Sequence, residues 1–399
     1  MLNRLALFLK QNFFLVGTTA FPGLHKLTVL FFVNEYNELT FTADFVNDIF
    51  VLYILGYVTV FNWANFILSD MMKISKIKQV NFFGKIYGLS LITTIPLLFG
   101  LLFFLSNEWI VNDLGFVALL MFWSYHQLWR HFLIAKGRYQ KLFFADFLIL
   151  IVTIILIAMA SHFQWDLFLC MCIPLFLVPI MFYPLFPVFT FQRFGKRIWT
   201  RALNYTLINL STGGIQLIFA PLSHHLLAPA FTRLIGFTNN LASIALLIPR
   251  AMAYSYIPKL SIQLRQGWST FLNTYQRFLH VNNIVVVSLL MMGVLVGVVM
   301  MVLSQYPLTF AMITILVFSN LLIGQLSVPS SNVLVVSAQS LLLLKVNWVA
   351  FVVMMLFMFL IIPLEIDGLV KMMVLLSVNV IVGFIRYLYL VKIFKRQYV

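Results

Sequence analysis

The sequence predicts an all-α polytopic membrane protein with about twelve transmembrane helices. Three observations carry that reading. Hydrophobic residues make up 62% of the 399 residues and charged residues 9%, and mean hydropathy is +1.01. A water-soluble fold of that composition could not cover its surface with polar groups. Apolar runs of ~20 residues, enough to cross ~30 Å of hydrocarbon, follow one another along nearly the whole chain. Finally, the short loops between those runs alternate in charge.

The first run, Phe13–Val33, follows Arg4 and Lys10. It lacks a small-x-small cleavage site and leads straight into further spans, so it is expected to be a retained helix. Phe45–Ser69 begins after Asp44 and ends before Lys73, Lys76 and Lys78, and Gly84–Leu105 ends before Glu108. Leu114–Ala135 stops at Lys136-Gly137-Arg138, and Leu142–Ala160 stops ahead of Asp166. Leu167–Phe191 carries Pro174, Pro179, Pro184 and Pro187, which membrane helices tolerate as bends. The basic stretch 192–202 then divides the chain into a first half, 1–191, and a second, 203–399. The second half runs Leu203–Leu226, Pro229–Ile257, Val281–Leu303, Leu308–Val328, Leu343–Leu364 and Met372–Val391. Gly84-x-x-x-Gly88 and Gly293-x-x-x-Gly297 are spaced for close helix approach. Trp109, Trp165, Trp199 and Trp268 fall at expected membrane boundaries, where amphipathic rings anchor spans.

Charge sets the expected orientation. Of the 26 basic residues, 20 fall in the terminal segments and the loops after even-numbered spans. Nine of the eleven acids fall in the opposite loops: Glu35, Glu38, Asp44, Asp48, Glu108, Asp113, Asp166, Glu365 and Asp367. Basic loops stay in the cytoplasm, so both termini are expected there. The net charge of +15 therefore belongs to one membrane face and its anionic headgroups, and no nucleic-acid partner is expected. Cys170 and Cys172 lie two apart in one apolar run and point different ways on a helix, which predicts neither a disulfide nor a zinc site. No nucleotide-binding, serine-hydrolase or metalloprotease motif occurs, so no enzyme activity, ATPase included, and no cofactor is expected.

Five cations remain inside the spans: Lys26, Arg130, Arg233, Arg250 and Arg386. A cation at mid-membrane costs ~2.5–3.5 kcal/mol on insertion scales, which makes each one a functional candidate. Lys26 lies some thirteen residues into the first span. Arg233 opens the eighth, and Arg250 follows about 25 Å further along the helix. Arg130 and Arg386 lie near inner ends, where long side chains snorkel to the interface. His126 and Arg130 are spaced to share one helix face. Asp146 is the one clear carboxylate within a span, and pairing with Arg138 or Lys141 competes there with an ion-coupling role. Asp48, one turn after Asp44, is the second ion-coupling candidate. Several buried cations and few acids suit an anionic, phosphate-bearing substrate.

Three stretches give the chain a family resemblance. His131-Phe-Leu-Ile-Ala-Lys-Gly-Arg-Tyr-Gln-Lys141 leads into Asp146. Ile248-Pro-Arg-Ala-Met-Ala-Tyr-Ser-Tyr-Ile-Pro-Lys-Leu-Ser261 closes the eighth span, and Pro329-Ser-Ser-Asn-Val-Leu-Val-Val-Ser-Ala-Gln339 follows the tenth. In these stretches and in span layout the chain resembles the Wzx-type polysaccharide flippases, relatives of the multidrug and toxin extruders. The resemblance implies two six-helix lobes around a central cavity in a bacterial inner membrane. It also implies that undecaprenyl-pyrophosphate-linked oligosaccharide moves from the cytoplasmic to the periplasmic leaflet by alternating access. Lys26 and Arg233, with Arg250 and Arg130, would then hold the pyrophosphate. Membrane lipids, polysaccharide polymerase and chain-length machinery would be its partners. A drug or cation extruder of the same fold is the first alternative, and a membrane polymerase or acyltransferase the second.

Overall fold

The computed structural model describes residues 13–70, 78–104, 113–183, 196–303, 307–337 and 339–398. Arg4, Lys10, Lys73, Lys76, Glu108, Trp109, Pro184, Pro187, Arg193 and the end of the sixth expected span lie outside them. The described chain is all-helical, as the composition predicts, and forms two compact units, Met1–Pro221 and Leu222–Val399. Among the described residues, eight helices are long and apolar enough to cross a membrane. The protein is a polytopic membrane protein.

The first unit contains α1 (Phe13–Tyr36), α2 (Leu39–Thr59), α3 (Phe61–Asp70), α4 (Gln79–Phe104), α5 (Asp113–Ala135), α6 (Tyr139–Phe163) and α7 (Leu167–Phe182). It continues through α8 (Lys196–Asn209), a π-helical turn (Leu210–Gly214), α9 (Ile215–Leu217) and the start of α10 (Phe219–Leu226). α1 packs on α6, and α5 on α7. The basic stretch 192–202 overlaps α8, where Trp199 sits edge-on to Trp63 and Tyr205 edge-on to Phe66. Buried aromatic rings of α3 thus hold α8 in the first unit.

The α5–α6 connection shows why the Lys136-Gly137-Arg138 signature exists. Gly137 has φ +66°, its N–H donates to Ile134 O at 2.9 Å, and the Arg138 N–H donates to Leu133 O at 2.9 Å. That pair of bonds is the Schellman closure, which satisfies the last carbonyls of a helix and needs a left-handed residue. A Cβ at Gly137 would meet nothing within 4 Å, so the cost of substitution is conformational alone. Gly137→Ala is therefore expected to lower stability by ~1–2 kcal/mol, read as a lower thermal midpoint in detergent, with the fold unchanged.

The second unit contains α11 (Pro229–Ala245), α12 (Leu247–Gln266), α13 (Trp268–Leu303), α14 (Pro307–Leu326), α15 (Val328–Val336), α16 (Ser340–Ile361) and α17 (Gly368–Tyr398). The single eighth span expected over Pro229–Ile257 continues as one apolar helix over Pro229–Ala253, with its hydrogen-bond ladder interrupted at Leu246, because Pro249 has no N–H for the Ala245 carbonyl four residues earlier. The α14–α15 interruption follows the same rule. Pro329 cannot donate to Gln325 O, and Asn282 Nδ2 of α13 supplies that bond instead at 2.9 Å. Gly293 and Gly297 lie where α13 meets α14. A Cβ there would stand 2.8 Å from Phe318 Cβ and 2.6 Å from Ile315 Cγ1, so the spacing serves close packing as expected. On the opposite side of α13, Met291, Leu295, Val298 and Val302 are exposed. An apolar stripe of that length has lipid as its natural solvent.

Candidate functional site

The polar centre of the first unit is built where α1, α2, α5 and α6 meet. Thr18, His25 and Lys26 come from α1, Tyr53 from α2, His126 and Arg130 from α5, and Asp146 and Thr153 from α6. Adjacent residues on a helix point ~100° apart, and His25 and Lys26 use that divergence. His25 Nε2 lies 3.2 Å from Thr153 Oγ1, while Lys26 Nζ stands 3.4 Å from the centroid of the Tyr53 ring. The ring's negative face offsets part of the cost of an ammonium at mid-span. Lys26 itself is half-buried, so its charge is not sealed within protein.

Arg130 and Asp146, two separate candidates from the sequence, face each other. Both are buried, at 5% and 4% exposure. Arg130 Nη1 lies 2.9 Å from each carboxylate oxygen and hydrogen-bonds to Oδ1. His126 Nε2 is 3.6 Å from Oδ1, so the expected shared face of His126 and Arg130 is turned towards Asp146. The partner of Asp146 is thus Arg130, not Arg138 or Lys141. Those two lie at the α5–α6 turn, where Arg138 instead stacks on Tyr183.

The second guanidinium nitrogen explains why the pair sits where it does. Arg130 Nη2 donates to Thr18 O at 2.7 Å. Four residues after Thr18 comes Pro22, inside α1, which has no N–H to offer that carbonyl. Arg130 therefore supplies the missing donor from a neighbouring helix, and Asp146 fixes Arg130 in place. Sequence reasoning missed this contact. Its one visible signal was Pro22 within an apolar run, and that cannot name the donor.

Asp48 is buried in α2, with Asn47 Nδ2 donating to its Oδ1 at 2.9 Å. In the second unit, Arg233 is half-buried near the start of α11. The same helix buries Thr232, Thr238, Asn239 and Asn240, which makes it polar for a helix of an apolar unit. Arg250 follows Pro249 in α12 and is exposed. Arg386 of α17 bonds to the end of α14, as described below. The helices of this unit carry no side-chain carboxylate at all. Among the described residues no three His, Cys, Asp or Glu side chains gather as a metal site, and Cys170 and Cys172 are buried free thiols.

Comparison with solved structures fixes the architecture. The chain aligns with the eukaryotic MATE transporter AtDTX14 at TM-score 0.66 and 13% identity, covering 98% of this chain and 96% of that one. The fold is that of the MATE transporters. An inward-facing MATE-family multidrug resistance transporter of the MOP superfamily matches at TM-score 0.59 and 13% identity, over 98% and 96% of the two chains. A MOP superfamily transporter from Pyrococcus furiosus, described as having a binding pocket of reverse polarity, matches at 0.58 and 14%, over 95% and 94%. No family model matches the sequence. No curated protein matches it either. The likeness at these identities is one of scaffold, and one scaffold hosts many functions.

Proposed function

We propose that this protein is an alternating-access exporter of an anionic, lipid-linked oligosaccharide carried on undecaprenyl pyrophosphate. The observation that supports this most is the charge balance of its spanning helices. Lys26, Arg233, Arg250 and Arg386 lie within them, the second unit's helices have no carboxylate, and of the first unit's buried acids Asp146 is matched by Arg130, which leaves Asp48. Such a frame attracts anions and disfavours cationic drugs. Lys26 and Arg233 are the proposed pyrophosphate contacts, with Arg250 as a further one. Guanidinium and ammonium groups recognise phosphate oxygens through charge-assisted hydrogen bonds. Because Arg130 holds Asp146, Arg130 is assigned to positioning α1. Asp48 then becomes the better placed candidate for ion coupling. The Pyrococcus furiosus neighbour, with its reverse pocket polarity, gives a precedent for this scaffold with altered charge preference. Membrane lipids and the polymerase and chain-length proteins of polysaccharide assembly are its proposed partners in an inner membrane.

The rival reading is a multidrug extruder, favoured by the multidrug description of an inward-facing neighbour. Reconstitution separates the two. Full-length protein in proteoliposomes is expected to expose a labelled polyprenyl-pyrophosphate oligosaccharide to an outside glycosidase. Lys26→Ala and Arg233→Ala should each slow that exposure about tenfold or more, the loss of ~1.4 kcal/mol of interaction or greater. Export of ethidium by the same vesicles, without movement of the glycolipid, would refute the proposal.

A further inference from the structure

The second unit holds a buried cation that its own residues do not neutralise. α14 and α17 run parallel, because their contacts advance together: Asn379 donates to Asn320, Gly383 lies against Ile323, and Arg386 reaches Gly324 and Ser327. Arg386 Nη2 donates to Ser327 Oγ at 3.0 Å and approaches Gly324 O at 3.5 Å. Its Nε is buried with no hydrogen-bond partner. Among the described residues the guanidinium makes no further polar contact.

Charge compensation from within the unit falls short. Its side-chain carboxylates are Glu365 and Asp367 alone. Asp367 is 19 residues from Arg386, about 28 Å along the helix. The carbonyl end of α14 contributes roughly half a negative charge, spread over several groups. Snorkelling does not describe this side chain either, since its head is tied sideways to α14 and Nε is shut away from solvent. An uncompensated charge in such surroundings costs several kcal/mol unless a counter-ion joins it. As a residue Arg386 is half-buried, so the side chain is not enclosed along its whole length. Six residues further on, about 9 Å along the axis, comes Lys392 of the basic terminal segment, which loop charge assigns to the cytoplasmic face. That depth is within reach of inner-leaflet headgroups.

We propose that Arg386, supported by Ser327, is a binding site for a phosphate oxyanion on the inner side of the second unit. The planar guanidinium fork suits two oxygens of one phosphate. The ligand chemistry is shared by a phosphodiester headgroup and by free inorganic phosphate. It uses none of the proposed pyrophosphate contacts Lys26, Arg233 and Arg250, so its test does not require the cargo.

The test uses delipidated full-length protein in a neutral detergent, with gluconate as the only bulk anion. Inorganic phosphate, phosphatidylglycerol and phosphatidylcholine are added separately while the thermal midpoint is followed. The site predicts a rise of about 2–4 °C with a saturating ligand, as expected when a ligand binds only the folded state. A response to phosphate alone marks a soluble anion as the occupant, and a response to phosphatidylglycerol marks a lipid. Either shift should vanish in Arg386→Gln and in Arg386→Met, which keeps the aliphatic stem packed between α14 and α17. The wild type also decides by itself, should both variants fail to fold. A midpoint unmoved by phosphate and by phosphatidylglycerol overturns the proposal, as does an equal shift in wild type and either variant.

Discussion

Asp146→Asn is expected to destabilise the first unit by about 3–5 kcal/mol, because it leaves the Arg130 guanidinium buried without its counter-charge. The amide cannot offset the charge, and Arg130 remains committed to Thr18 O. Arg130→Met should cost a similar amount for two reasons. It strands a buried carboxylate, and it removes the donor that replaces the missing N–H of Pro22. The informative comparison is the double variant Arg130→Met/Asp146→Leu. With both charges gone, the Thr18 carbonyl is the group newly left without its donor, at about 1–3 kcal/mol. The double variant should therefore be more stable than either single one. Adding Pro22→Ala to it restores the backbone donor and should recover part of the remainder. Thermal unfolding in detergent reads these proteins together with Asp146→Leu alone, which closes the cycle. A double variant that loses as much as Arg130→Met and Asp146→Leu added together would sink the pairing.

Gly56→Ala is the second large expected effect. A Cβ at Gly56 would fall on the ring of Trp123, which is buried and lies 5.6 Å from the Tyr53 ring, centroid to centroid. Tyr53 in turn supports the Lys26 ammonium. Overpacking of this kind costs ~1–3 kcal/mol, and here the displaced ring belongs to the support of a proposed substrate contact. Reduced glycolipid transport is expected together with a lower thermal midpoint. Trp123→Phe frees volume beside the new methyl, so Gly56→Ala/Trp123→Phe should regain stability relative to Gly56→Ala. If the second substitution instead adds to the damage, the Gly56–Trp123 approach is not what limits the site.

The spans were legible because lipid demands long apolar runs, and few other constraints compete with that one. Expected segments overlap described helix along the chain, as Leu114–Ala135 does with Asp113–Ala135, although the end of Leu167–Phe191 lies outside the described residues. Helix ends were legible where local chemistry sets them, as at Gly137. Tertiary partners were not. Arg130 and Asp146 are 16 residues apart on different helices, and Arg138 and Lys141 were nearer in sequence. Thr18 is invisible as a candidate acceptor, since its side chain is unremarkable and only its carbonyl takes part. The interruption at Leu246 was similarly obscure until Pro249 could be seen to orphan a carbonyl. Backbone groups carry this unit's polar logic, and sequence patterns describe side chains.

The π-helical turn at Leu210–Gly214 packs Gly213 beneath Tyr57 of α2. Such a turn stores one surplus residue within an otherwise regular rod. Shortening the chain by a single position there would tighten the coil without rotating Phe219 and Ala220 off their buried side. Anywhere else along α8 or α10 the same deletion would swing every later side chain by about 100°. This narrow window is where evolution or an engineer can alter the length of the segment and keep its facing.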